Sequence, residues 1–439
     1  MAIPFSRRAV LAAPVILTAT RAMSAEVDLV IVGAGAAGLS AAKTAQVLGL
    51  SFVLIEARDR IGGRTVTDTA LGAPFDGGAT FIHFSEKNPW TKIAEDLGID
   101  APLGGWRGAG FREFRDGVPL EPGDPASGAS GRGKLWALTE EIDEESDVSF
   151  ARLVEKAPPE VAAAAHSLSR GAVGEEPERV SVADYSRLYD GGNRVVPSGY
   201  GALVARYGAD VPVRLGVAAT TIDWRGAGVT VRTAVGDIKA QKAVITVPIG
   251  VLKAERIAFN PPLPNEMTRA LDGLAMGALS KIGLKFEGNR FGAPAGMFYS
   301  EVRSQQPGVS YEMFPWDRDI VVGWYGADYA REINRLGADA AADHFLERLV
   351  KIVGADARKH FKGARRYGWS EDPFSIGSYS YAKPGQAKAR DTLRRPVGER
   401  LWFAGEAMAG RASMTVAGAH QTGEQAVRAI AARLRGRKG

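Results

Sequence analysis

The stretch LVIVGAGAAGLSAAKTAQVLGLSFVLIEARDRIGGRT, Leu29 to Thr65, constrains the fold more than any other part of the chain. Val27 to Val32 is a short, apolar, β-branched run that suits a buried parallel strand. Gly33, Gly35 and Gly38 then form G-x-G-x-x-G, and a helical pattern runs from Ala37 to Leu48 with Gly49 at its C-terminal cap. A second strand, Ser51 to Ile55, ends at Glu56. Gly33 allows the tight turn, Gly35 lets the backbone approach a pyrophosphate, and Gly38 lets helix pack on strand. N–H groups at the helix start, where Ala36 and Ala37 lie, offer partial positive charge to phosphates. Glu56 has the spacing of a carboxylate that accepts hydrogen bonds from a ribose. The whole unit predicts a Rossmann-like α/β fold that binds a dinucleotide.

A chain of 439 residues has room for two domains. It contains no cysteine, which excludes disulfides, thiolate metal sites, cysteine nucleophiles and a thioether-tethered cofactor. The five histidines are scattered and no H-E-x-x-H occurs, so no metal is expected. Near the N-terminus, SRRAVLAAPVILTATRAMSA places Arg7 and Arg8 before an apolar run from Ala9 to Ala19. That run is too short to span a bilayer, so no stable membrane anchor is expected. It fits a secretory signal over residues 1–25, and the arginine pair after Ser6 fits the twin-arginine type. The export machinery is then a partner, and the location is periplasmic or secreted. Removing residues 1–24 takes three arginines and no acid, so the formal charge falls from +5 to +2 and argues for no nucleic-acid partner.

Directly after Glu56 the chain reads ARDRIGGRT. Here it resembles the flavin amine oxidase family, whose hallmark is a β-α-β unit followed by E-A-x-x-R-x-G-G-R. The resemblance implies FAD, with Ala57, Arg58, Gly62, Gly63 and Arg64 in a second loop around the diphosphate and flavin side. Arginine suits that work because its planar fork stays charged and binds bidentately. Without a cysteine, the FAD is expected to be held by contacts alone.

The resemblance runs over nearly the whole chain after the leader. FDGGATFIHFSEKNPWTKIAEDLGI is similar to the segment that leads from flavin to substrate cavity in polyamine and spermine oxidases, with Gly78, Ala79 and Thr80 on the cofactor and Phe81 and His83 towards the substrate. Main-chain contact to the adenine is implied near Ala219, and RLWFAGEAMAGRASMTV closes the cofactor site through Gly405, Glu406, Thr415 and Val416. In LSKIGLKF, Lys281 has apolar neighbours and matches the family lysine that holds a water at flavin N5. In WSEDPFSIGSYSY, Trp369 and Tyr379 resemble the aromatic wall beside the flavin, which suits and orients an amine. Thr415 stands where monoamine oxidases have a second tyrosine, which moves the likeness towards the polyamine enzymes and gives Thr415 a substrate-side role as well.

By this resemblance the FAD-binding domain is discontinuous, over residues 27–85, 192–280 and 396–439, and the substrate domain, α+β with a mixed sheet, takes 86–191 and 281–395. Glu121 to Lys134 is expected to be a flexible loop, and LTEEIDEESDVSF a solvated helix face.

The implied activity is amine oxidation: a hydride equivalent leaves the amine α-carbon for flavin N5, and the imine hydrolyses to aldehyde or ketone plus amine or ammonia. Electrons then pass to dioxygen, giving hydrogen peroxide, or to another acceptor. The alternatives are an FAD-dependent L-amino-acid oxidase and a non-catalytic flavin-binding electron-transfer protein. An amino-acid oxidase of this superfamily places an arginine soon after GGA. Here Thr80 and Phe81 follow, with Arg107 and Arg112 further on as possible substitutes. The particular amine, the acceptor and the oligomeric state are left open by the sequence.

Overall fold

The computed structural model describes residues 26–104, 110–121, 123–124, 127, 129–302 and 308–435. The leader with Arg7 and Arg8, and Arg107, lie outside the described residues.

Two large sheets organise the chain. In the first, Val27–Val32 lies between Gly236–Ile245 and Phe52–Ile55, parallel to both. Val213–Arg214 extends this arrangement beyond Phe52–Ile55 in parallel, and Leu401–Phe403 runs parallel to the end of Gly236–Ile245. Ala219–Asp223, Val229–Thr233 and Ala258–Asn260 complete the sheet on the other side. Its strands therefore come from residues 27–55, 213–260 and 401–403. Helices Ala36–Val47 and Val416–Arg435 pack together on one face, over a core that includes Leu29, Ile31, Leu39, Val427 and Ile430.

The β-α-β unit forms where it is predicted. Gly33 adopts φ +102°, and a Cβ on Gly38 would lie 1.8 Å from the Gly33 carbonyl oxygen. The turn and the close helix packing thus each require glycine.

Among the described residues the second sheet has seven strands, in the order Phe361–Tyr367, Ser280–Phe286, Ile320–Tyr325, Ser310–Glu312, Phe298–Glu301, Phe111–Arg115 and Val118–Pro119. One face carries Ile282, Leu284, Phe286, Tyr311 and Val321 against helix Ala338–Val353. Alternation along each strand sends Lys281 and Trp324 to the other face, towards the first sheet.

Two local expectations are corrected. The segment expected as a loop up to Lys134 enters helix Arg132–Thr139. The acidic run expected to be helical leaves that helix at Thr139 and continues as turns. The Asp143 carboxylate accepts from the backbone N–H groups of Glu145 and Ser146, a local arrangement that competes with helix. Glu140 and Glu144 would also repel each other at helical i,i+4 spacing. Glu140, Asp143 and Glu144 instead line a cavity.

Candidate active site

A cavity of about 2460 Å³ lies between the two sheets. Single small-molecule pockets are usually ~300–1,000 Å³, so this one has room for a dinucleotide and a second ligand together. All of the cofactor and substrate residues expected from the sequence line it except Gly38, which sits behind the turn as a packing contact.

At one end are the glycine turn and the helix start. A Cβ on Gly35 would meet only the Gly63 Cα, at 3.9 Å, and otherwise project into open groove. Gly35 and Gly62 pair as a parallel bridge, which brings the two glycine loops together. The Glu56 carboxylate accepts one bond on each oxygen, from Ala34 N–H at 2.7 Å and from Arg58 N–H at 2.9 Å. Each oxygen retains capacity for another donor such as a ribose hydroxyl. Glu56 O accepts from Val217 N–H, which holds the segment leading to Ala219 beside it.

Arg58 does not reach freely into the groove. Its guanidinium forms a bidentate pair with Asp372 at 2.8 and 2.5 Å, tying the second glycine loop to the segment between Trp369 and Tyr379. Arg64 donates to Ser378 O at 2.8 Å and to Glu406 Oε1 at 3.2 Å. The Glu406 carboxylate is buried and also accepts from Ser380 N, Ser380 Oγ and Met414 N. Its side chain therefore positions Arg64 and the Thr415 loop. Thr415 Oγ1 donates to Ala412 O and accepts from Gly418 N–H, so it caps the helix that follows. Gly405, at φ +145°, has nothing within 4 Å of a would-be Cβ and opens onto the cavity.

Further along the cavity, Lys281 is only 4% exposed. Its Nζ donates to Asp76 O at 3.2 Å, Gly78 O at 2.5 Å and Thr80 Oγ1. Burial lowers its pKa to about 8, against the opposing pull of Asp76 and Glu312. Trp369 is buried and its indole donates to Gly77 O at 3.0 Å. Tyr379 is half-buried, with its hydroxyl on Ala172 O at 2.7 Å. Phe81 lies 5.8 Å from His83, centroid to centroid, and His83 Nδ1 lies 3.0 Å from Asn193 Oδ1.

Sequence reasoning missed Trp324, which is stacked on Phe81 at 5.7 Å and lies under the Lys281 ammonium. Only strand pairing brings it there. Asn193, Ser413, Ser300, Ser310 and Glu113 also line the cavity without having been singled out. Arg112, the candidate carboxylate partner, is exposed and is absent from the cavity wall. It neighbours Glu113 on one strand, so its side chain leaves by the opposite face.

The donor set fits FAD: an open glycine groove for a diphosphate, a carboxylate with spare acceptor capacity, and a fixed arginine. Trp324 Nε1 and Ser413 Oγ are buried and have no partner among the described residues. A dinucleotide groove that opens directly into an aromatic chamber is the plan of a flavoprotein oxidoreductase. The family model for flavin containing amine oxidoreductase matches residues 36–431, and the chain belongs to that family, the FAD-dependent enzymes that oxidise amines. It is 30% identical to Polyamine oxidase 3 of Oryza sativa subsp. japonica over 437 residues, covering 90% of this chain and 87% of that protein. It is 29% identical to Polyamine oxidase 2 of Arabidopsis thaliana, covering 90% and 86%. Among solved structures, cyclohexylamine oxidase from Brevibacterium oxydans IH-35A shares the fold with a TM-score of 0.78 at 21% identity, over 94% of this chain and 100% of that one. Putrescine oxidase bound to putrescine has a TM-score of 0.77 at 21% identity, over 93% and 99%.

Proposed function

We propose that the chamber bounded by Lys281, Trp324, Phe81, Trp369 and Tyr379 holds the reacting amine against the flavin of this FAD-dependent amine oxidase. The observation that carries this is the buried Lys281 ammonium, fixed by three acceptors beside Gly78 and Thr80 at the junction of groove and chamber. A cation there stabilises negative charge that develops near N5 and disfavours a second ammonium, so the amine arrives neutral. The chemistry supplied by bound FAD is acceptance of a hydride equivalent from the amine α-carbon. Trp369 and Tyr379 form aromatic wall, Phe81 and His83 face the substrate, and the chamber excludes water until the imine is hydrolysed.

For the cofactor, we assign the diphosphate to Gly33, Gly35, Ala36, Ala37 and the Gly62–Arg64 loop, with Arg64 held by Glu406. Glu56 takes the ribose, the backbone near Ala219 takes the adenine, and Gly78, Ala79, Thr80, Gly405, Thr415 and Val416 surround the flavin half. The hold is non-covalent, reoxidation is by dioxygen with release of hydrogen peroxide or by another carrier, and residues 1–25 direct twin-arginine export.

The test is anaerobic mixing of the purified yellow protein with monoamines, polyamines and amino acids while the visible flavin band is followed. Bleaching by amines and not by amino acids is expected. Bleaching by amino acids alone would replace the amine by an amino acid. No bleaching except by dithionite would favour a non-catalytic flavoprotein.

A further inference from the structure

Strand register lays a single chemical row across the second sheet. Lys281 is paired with Trp324, Trp324 with Ser310, Ser310 with Ser300, and Ser300 with Glu113. Residues in register share a face. All five line the cavity, which gives the same placement independently. The row begins with the cation and indole of the reaction chamber. It continues through two hydroxyls in mutual contact, Ser300 Oγ and Ser310 Oγ at 2.6 Å, and ends at a half-buried carboxylate. Four strand spacings separate Lys281 from Glu113, a distance of about 19 Å.

We propose that Glu113 is a specificity-determining residue that receives a distal ammonium of a linear polyamine lying along this row, with the polyamine's reacting nitrogen at the Lys281 end. The inference rests on the amine-oxidase function proposed above. The polarity of the row orients the ligand: the Lys281 cation repels an ammonium, the serine hydroxyls solvate the chain, and the carboxylate attracts the far charge. Arg115, next on the same face of the strand, is paired with Asp124 at 3.4 Å. Length sets the selection. At ~1.2 Å per bond of extended chain, a four-carbon diamine spans only about 6 Å, whereas a linear tetraamine reaches about 16 Å between its terminal nitrogens.

The experiment compares the wild-type holoenzyme with Glu113→Gln and Glu113→Asp, using spermine, 1,4-diaminobutane and hexylamine. Expected for Glu113→Gln is a loss of about tenfold in kcat/KM for spermine, carried by KM, with hexylamine and 1,4-diaminobutane changed less than about twofold. Glu113→Asp should recover most of the loss. Spermine binding to the dithionite-reduced holoenzyme, measured by anaerobic calorimetry where no turnover occurs, should weaken by the same factor. An unchanged flavin spectrum reports that the variants are folded; if Glu113→Gln is not, Glu113→Ala with the same calorimetry decides, a spermine affinity equal to wild type overturning the assignment. Equal effects on spermine and hexylamine, or none on either, would overturn the assignment of Glu113 while the amine oxidase stands. A wild type that no amine bleaches would remove both.

Discussion

The Lys281 ammonium nitrogen sits 3.8 Å from the centroid of the Trp324 ring, two residues paired directly across adjacent strands. At this distance the negative face of the indole stabilises the charged lysine, by ~0.5–2 kcal/mol. It opposes the burial that lowers the lysine pKa to about 8. Trp324→Leu is therefore expected to shift the alkaline limb of flavin reoxidation to lower pH by ~0.5–1 unit, with Trp324→Phe shifting it less. Stopped-flow reoxidation of the reduced protein across pH 6.5–9.5 measures this; an unmoved limb would show that Lys281 does not govern that step.

Lys281 also makes stability depend on pH. Its pKa falls from an ordinary 10.5 to about 8 because of burial, so between those values the unfolded chain holds a proton that the folded chain lacks. Wild type should therefore gain stability relative to Lys281→Met as pH rises from 8 towards 10.5. The groups facing Lys281 are Asp76, Glu312 and, through them, Arg318. Burial raises Glu312 to about 7, so wild type and Lys281→Met must be compared above that pH as well. Urea midpoints of the two proteins at pH 7, 8, 9 and 10 give the slope.

Two glycines of one motif should fail in different ways. A methyl at Gly35 meets only Gly63 Cα at 3.9 Å, so Gly35→Ala should fold, with native far-ultraviolet dichroism, but purify with little flavin. A methyl at Gly38 would sit 1.8 Å from the Gly33 carbonyl oxygen, which belongs to backbone and cannot swing away. Gly38→Ala should lose ~1–3 kcal/mol or more of stability whether or not FAD is added. Flavin content and melting temperature separate the two cases.

Arg390 is fully buried and pairs with Asp184 through Nε and Nη2 at 2.8 Å each, while Nη1 donates to Ser380 Oγ at 2.6 Å. Ser380 Oγ in turn donates to Glu406, the anchor of Arg64. Burial alone would raise the Asp184 pKa, but Arg390 brings it below its ordinary 3.8. Its stabilisation is therefore present above that value and is lost as pH falls through the lowered one. Asp184→Asn leaves a buried guanidinium without its counter-charge and should cost ~3–5 kcal/mol near neutral pH. Its urea midpoint should also show less acid sensitivity than that of wild type between pH 5 and 3.

The dinucleotide half of the site was legible because its parts are contiguous. Gly33, Gly35, Gly38 and Glu56 lie within one β-α-β unit, whose turn, helix and strand follow from local sterics and hydrophobic pattern. Residues far apart, such as Lys281 and Thr415, could be placed only through family resemblance, and their detailed surroundings differ from a simple list of contacts. Glu406 is spent on Arg64 and Ser380, Arg58 on Asp372, and the Thr415 hydroxyl on capping a helix. The acidic run after Leu138 misled because charge density resembles a solvated helix face, whereas Asp143 satisfies nearby backbone N–H groups and ends the helical pattern.

By itself, then, the sequence determined the nucleotide-binding unit, the absence of any cysteine chemistry and the glycine positions that only glycine can fill, because each depends on neighbours a few residues away. Tertiary structure alone decided which side chains face the chamber. Lys281 meets the carbonyl of Gly78 across 203 positions of chain, and Trp324, Ser310, Ser300 and Glu113 join it through strand register. Register turns on which residues pair between distant strands, and a shift of one position would send every one of those side chains to the opposite face.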